Sequence, residues 1–151
     1  MAAADDPHDL QRFVLAQEGV HAQALAELRA GRKQGHWIWF VLPQLRGLGH
    51  SPLANRYGLG SLAEARAYLA HPVLGPRLAD CVQALLAHRG HDVVDMLGAV
   101  DALKLRSCLT LFHAAAGEDA ALFDQALATF FGGQRDPLTL AALRDAGGAA
   151  H

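Results

Sequence analysis

The chain has 151 residues, 52% of them hydrophobic and 19% charged, and a net charge of -2. That length suits one domain, and folding should bury roughly 70% of the surface of the extended chain, which excludes a disordered class. The charge lacks the basic footprint of a protein whose main partner is duplex DNA, long RNA or an anionic membrane surface.

The two cysteines, Cys81 and Cys108, lie far apart and outside any C-x-x-C spacing, and the N-terminal MAAADDPHDL lacks the basic and apolar regions of a secretion signal. Both features fit a reducing cytoplasm. The longest apolar run, Trp37 to Leu42, is too short to span a bilayer and stops at Pro43.

Along the chain, apolar residues recur at helical spacing in nearly every segment. Leu10, Phe13 and Val14, with Gln17, follow Asp9 as a possible N-cap, and Ala24, Leu25 and Leu28 mark a second helix stopped at Gly31. Ser61-Leu62-Ala63-Glu64 forms a capping box, in which the serine oxygen accepts from the Glu64 amide and the glutamate reaches back. Its helix runs to about Ala70. From Val73, the positions Leu74, Leu78, Val82, Leu85 and Leu86 make one stripe, and Gly90 follows as a stop.

Asp92 can cap a short turn through Met96. Val100, Leu103, Leu105, Cys108, Leu111 and Phe112 then predict a helix apolar around most of its circumference, and therefore central. Leu122, Phe123, Ala126, Leu127, Phe130 and Phe131 give another, ended by Gly132 and Gly133, and Asp136-Pro137 opens the last. No sustained period-2 alternation or Asn-Gly or Asp-Gly hairpin signal competes with this pattern. The prediction is an all-α single domain over residues 8–146, of six to eight short helices with a Gly/Trp-rich irregular segment, and flexible termini at 1–7 and 147–151. The block Trp37 to Leu42 reads as a short helix or an extended wall.

Chemistry concentrates between Gly31 and Ser61, which holds both tryptophans, one of the two lysines and a run of glycines. Polar groups flanking so apolar a block are costly to bury without partners, as in a pocket wall. Lys33, His36, Trp37, Trp39, Gln44, Arg46, Ser51 and Tyr57 are the candidates there. An indole face would stack a planar group while Lys, Arg and Gln hold an anionic or amide part. The plainer alternative is that the tryptophans are core and the polar groups cap helices.

Asp101, Lys104, Ser107 and Thr110 follow at three-residue steps along the most apolar helix, so that neighbours can touch. A buried Lys104 needs Asp101 or a ligand anion. Lysine beside serine could make a base and nucleophile, although an ion pair with hydroxyls bonded to the preceding turn is the simpler reading. His88 and His91 lack further ligands at zinc-site spacing, so no metal is expected. Gly58-Leu59-Gly60-Ser61-Leu62-Ala63 fits a dinucleotide fingerprint, but Ser51 to Arg56 cannot be the buried strand it requires. These glycines suit tight turns and close approach instead.

The ordered combination K-x-x-H-W-x-W-F-x-x-P-Q-x-x-G-L-G-x-S (Lys33 to Ser51), Tyr57, Leu69-Ala70-His71-Pro72-Val73-Leu74-Gly75, Asp101-x-x-Lys104-Leu105 and Ser107-x-x-Thr110-Leu111-Phe112 resembles the bacterial family filed as domain of unknown function 1810. Some members carry an automatic label of calpastatin. The resemblance covers about residues 8 to 145 and implies an all-α globular fold, with no established activity, cofactor or catalytic residue. Nothing in the chain looks like a protease-inhibitor repeat.

Together these readings point to a domain that binds, or binds and hydrolyses, a small nucleotide-like anionic molecule such as an ADP-ribose derivative. If chemistry occurs, His36 or Glu64 would serve as acid or base and Lys33 and Lys104 would stabilise charge. The competing class is a non-enzymatic interaction module whose Trp/Gly-rich segment docks a peptide. No cofactor is implied, and oligomeric state is not encoded in any motif.

Overall fold

Ten α-helices build the protein, a computed structural model that describes residues 6–149. They are α1 (Gln11–Gln17), α2 (His21–Ala30), α3 (Ile38–Val41), α4 (Pro52–Tyr57), α5 (Leu62–Ala70), α6 (Leu74–Leu86), α7 (Val93–Leu97), α8 (Ala99–Ala116), α9 (Ala121–Phe131) and α10 (Pro137–Ala149). The only extended pairing among the described residues is an isolated parallel bridge between Leu45 and Leu59. The all-α reading therefore holds. The helix count exceeds six to eight because the Gly/Trp-rich segment folds into two short helices. One is the turn α3; the other, α4, is announced by Ser51-Pro52, a capping serine before a proline at the first helical position. The frayed tail expected from Gly147 falls partly within α10 and otherwise, like residues 1–5, lies outside the described residues.

Local chemistry accounts for most helix ends. Ser61 accepts from the Glu64 amide at 3.1 Å, Asp92 from the Val94 amide at 2.8 Å and Asp136 from the Thr139 amide at 2.9 Å. Gly31 and Gly132 end α2 and α9 in the left-handed conformation. Asp9 does not cap α1. It sits at φ 51°, and the Asp6 carboxylate instead takes the amides of Leu10 and Gln11 at 2.8 and 3.0 Å.

The long α8 lies at the centre, against α5, α7, α9 and α10. Its Leu105, Cys108, Leu109, Leu111 and Phe112 are buried. Val100 and Leu103, by contrast, are 66% and 58% exposed, because they line an open groove between α8 and the start of α10 rather than the core. A chain of rings crosses the core from Phe13 to Tyr68 (5.2 Å between centroids), then to Phe112 (5.3 Å) and Phe123 (5.9 Å). Gln17, buried beside them, donates to the Phe40 carbonyl at 2.6 Å and to the Tyr68 hydroxyl at 3.1 Å, so its burial leaves no orphaned amide. Both cysteines are buried, and loss of solvation pushes the Cys81 thiol up to about 12 and Cys108 upward as well. They are inert core thiols.

Helices α5 and α6 approach so closely at their junction that a Cβ on Gly75 would overlap the Leu69 carbonyl oxygen. Backbone rather than a flexible side chain is in the way. Gly75→Ala is therefore expected to lose about 3 kcal/mol of stability, read from urea unfolding. A loss under about 1 kcal/mol would mean that the two helices separate easily.

Candidate functional site

After Gly31 the chain doubles back along the last turns of α2, which brings residues 34–37 beside Glu27. One Glu27 oxygen accepts from the amides of Gln34 (2.7 Å) and Gly35 (2.8 Å) and from the Trp37 indole nitrogen (3.0 Å), and the other from Gln23 (2.9 Å). Burial pushes this carboxyl up, but the bonds from Gly35, Gln34, Gln23 and Trp37 together hold it down to about 2. Trp37 is 1% exposed. Its polar edge is satisfied and its rings belong to the core.

Lys33 lies over the Trp37 ring, 4.9 Å from the centroid, and donates to the Gly35 carbonyl at 2.5 Å. Its Nζ also meets Asp101 Oδ2 at 2.7 Å, with only 6% of the lysine side chain exposed. The second Asp101 oxygen faces Lys104 Nζ at 3.7 Å, and Lys104 sits over Trp39 at 4.5 Å. Five predicted residues thus form one row of indole, cation, carboxylate, cation and indole. Two cations on one carboxylate leave an excess positive charge. The outer member, Lys104, keeps 24% of its side chain exposed.

Lys104 opens onto a groove of about 390 Å³ between α8, the start of α10 and the segment after Pro43. Gln44, Lys104, Arg106, Ser107 and Asp136 supply its polar groups, and Leu48, Val100, Leu103 and Leu138 its apolar walls. Arg106 brings a second cation. Its Nη2 lies 3.6 Å from Asp136 Oδ1, and its Nε is buried without a hydrogen-bond partner. Asp136 spends its other oxygen on the Thr139 amide and hydroxyl, at 2.9 and 2.6 Å. The Ser107 hydroxyl donates to the Leu103 carbonyl at 3.2 Å and that of Thr110 to Arg106 at 2.8 Å, the backbone bonding expected of a structural helix.

The other candidates lie elsewhere. Ser51 caps α4 through the Ala54 amide at 3.1 Å. Tyr57 packs edge-on against Phe40 at 5.2 Å and near Phe13 at 5.9 Å. His36 is exposed and lines neither this groove nor the concavity that holds Arg46. That second concavity, about 560 Å³, lies where α1 faces α4 and also receives Arg12, Arg56 and Glu64. Glu64 is not free to act as an acid or base: it pairs with Arg12 at 2.6 Å and accepts from the Gly60 amide at 3.0 Å. Its bond goes one residue beyond the cap serine.

Glu27, Arg106 and Arg12 were not among the sequence candidates. Arg106 carried a weak signal, as a cation inside the polar row from Asp101 to Thr110. Glu27 and Arg12 sat on ordinary amphipathic helices and carried none.

Residues 7–143 match the family model described as "Protein of unknown function (DUF1810)". No curated protein matches. Among solved structures, the conserved hypothetical protein Rv1873 from Mycobacterium tuberculosis is 51% identical, with a TM-score of 0.89 over 92% of this chain and 99% of that one. With nearly its whole length matched, the chain belongs to the DUF1810 family of all-α proteins.

Proposed function

We propose that the protein binds a small anionic ligand of the nucleotide or ADP-ribose type in the groove beside Lys104, its negative group between Lys104 and Arg106. The Arg106 guanidinium carries this reading: it lines the groove with 23% of its side chain exposed and holds only a loose 3.6 Å contact to Asp136, which leaves its outer N–H groups for an anionic acceptor. Gln44 supports it as an amide for a polar edge, and Leu48, Val100, Leu103 and Leu138 as a surface for a flat apolar part. Trp37 has no part in stacking, being closed into the core. With the Ser107 hydroxyl bonded to Leu103, the reading is of binding rather than hydrolysis.

A thermal-shift screen of nucleotides and sugar phosphates tests it. A ligand at a hundred times its dissociation constant stabilises the fold by about 2.7 kcal/mol. Lys104→Met is expected to abolish that response while changing stability by less than about 1 kcal/mol, because Asp101 keeps Lys33 at 2.7 Å. A wild-type response that survives Lys104→Met and Arg106→Gln alike would place the ligand elsewhere.

The second reading, an interaction module, moves away from the Trp/Gly-rich segment, whose indoles are buried or covered by Lys104. Its support is the apolar rim of the same groove, where Val100, Leu103 and Leu138 are 66%, 58% and 65% exposed. Silence of the wild type across the screen would favour it.

A further inference from the structure

Arg12 and Arg46 approach the end of α4 from two sides. Arg12 Nε donates to the Arg56 carbonyl at 2.9 Å and Arg46 Nε to the Asn55 carbonyl at 3.0 Å, so the two guanidinium groups satisfy carbonyls that a six-residue helix leaves open. For Arg12 this is the whole story, since all five of its N–H groups are used within the protein. Arg46 is different. Its Nε is engaged, but among the described residues its terminal nitrogens have no hydrogen-bond partner, and no carboxylate lies within 4.0 Å of Arg46 or of Arg56.

Glycines make this arrangement possible. A Cβ on Gly58 would fall 2.6 Å from Arg46 Cα and 2.7 Å from the Ala54 carbonyl, so only glycine lets the segment at Arg46 lie against α4. At Gly60 a Cβ would sit 3.4 Å from Arg46 Nη1, and its absence leaves the fork room. Two carboxylates also line the concavity. Glu64 is neutralised by Arg12 at 2.6 Å, and Asp9 is exposed. Against Arg46 and Arg56 together, Asp9 leaves one positive charge in excess. His8 and the Asn55 side chain line the same space.

From this geometry we infer a second binding site, at which Arg46 and Arg56 grip a phosphate monoester group carried by a small polar molecule. A phosphate with three terminal oxygens can face two guanidinium forks at once, each through a pair of oxygens, and carries more charge to share between them than a carboxylate does. The volume of about 560 Å³ leaves space for the body of the ligand beside its phosphate. The site is separate from the groove at Lys104 and does not depend on it.

Inorganic phosphate is the probe, titrated into the ¹⁵N-labelled protein at constant ionic strength with chloride as the balancing ion. The expected result is a saturable shift of the Arg46 and Arg56 Nε–H signals and of the Asn55 amide. R46Q and R56Q should each weaken it about tenfold, the worth of a charge-assisted hydrogen bond, and K104M should leave it unchanged. Shifts that stay linear in phosphate, or that are the same in both arginine variants as in the wild type, would overturn the site, as would loss of the response in K104M. If R46Q fails to fold because the Asn55 carbonyl loses its donor, R56Q decides alone, since no hydrogen bond of the Arg56 side chain supports the fold among the described residues.

Discussion

Arg12→Met should lower stability by about 3–5 kcal/mol, as for other buried ion pairs broken by removing one partner. The Glu64 side chain, 8% exposed, would be left with no cation within 4.0 Å, and the carbonyls of His8, Asp9, Arg56 and Gly58 would each lose a donor. Arg12 ties α1 to the end of α4 and the start of α5, so the loss is expected as a fall in the urea midpoint of the whole domain. Replacing both partners, Arg12→Met with Glu64→Gln, should recover part of it, because the uncompensated charge goes with the glutamate. A single variant within about 1 kcal/mol of the wild type would show that water reaches Glu64 and that the pair is a surface feature.

Trp37→Ala is expected to cost about 3–5 kcal/mol as a buried large-to-small change, and Glu27→Ala about 3 kcal/mol through its charge-assisted hydrogen bonds. The two share one network, so their double variant should cost measurably less than the sum of the single losses. Strict additivity would mean that the 3.0 Å indole contact contributes nothing. Trp39, half-buried beneath Lys104, should be far more tolerant of alanine.

Glu27 also sets a pH dependence. Its carboxyl is held at about 2 in the folded protein against an ordinary 4.5, so the folded state binds fewer protons than the unfolded chain in that range. The stabilisation is present above pH 4.5 and drains away as the pH falls toward 2. Asp6 titrates in the same direction: desolvation raises its carboxyl, but the amides of Gln11 and Leu10, with His71 and Arg12, bring it below its ordinary value. The informative quantity is therefore the difference between wild type and Glu27→Gln, whose urea midpoints should converge as the pH is taken from 5 to 2.5. Midpoints that stay parallel would remove Glu27 as the source.

Helix positions were legible in the residue order because their causes are local. A capping serine or aspartate, a stop glycine and an apolar stripe act within one or two turns, so Ser61, Asp92, Asp136, Gly31 and the face of α6 could be read directly. Even the missed α4 had its local sign in Ser51-Pro52. Pairing was another matter. Arg12 meets Glu64 across 52 positions of sequence, and Lys33 meets Asp101 with five helices, α3 to α7, between them in the chain. Residue order brought Lys33, Trp37, Trp39, Asp101 and Lys104 forward as chemically distinctive, but the packing of α8 against the turn after α2 decided that they form one row. The same packing closed Trp37, left Lys104 at a groove, and set Arg46 and Arg56 on one concavity. Apolar periodicity fixes which face of a helix is buried, whereas the Coulomb and hydrogen-bond partners of a side chain depend on distances through space, and these exist only once the helices have packed.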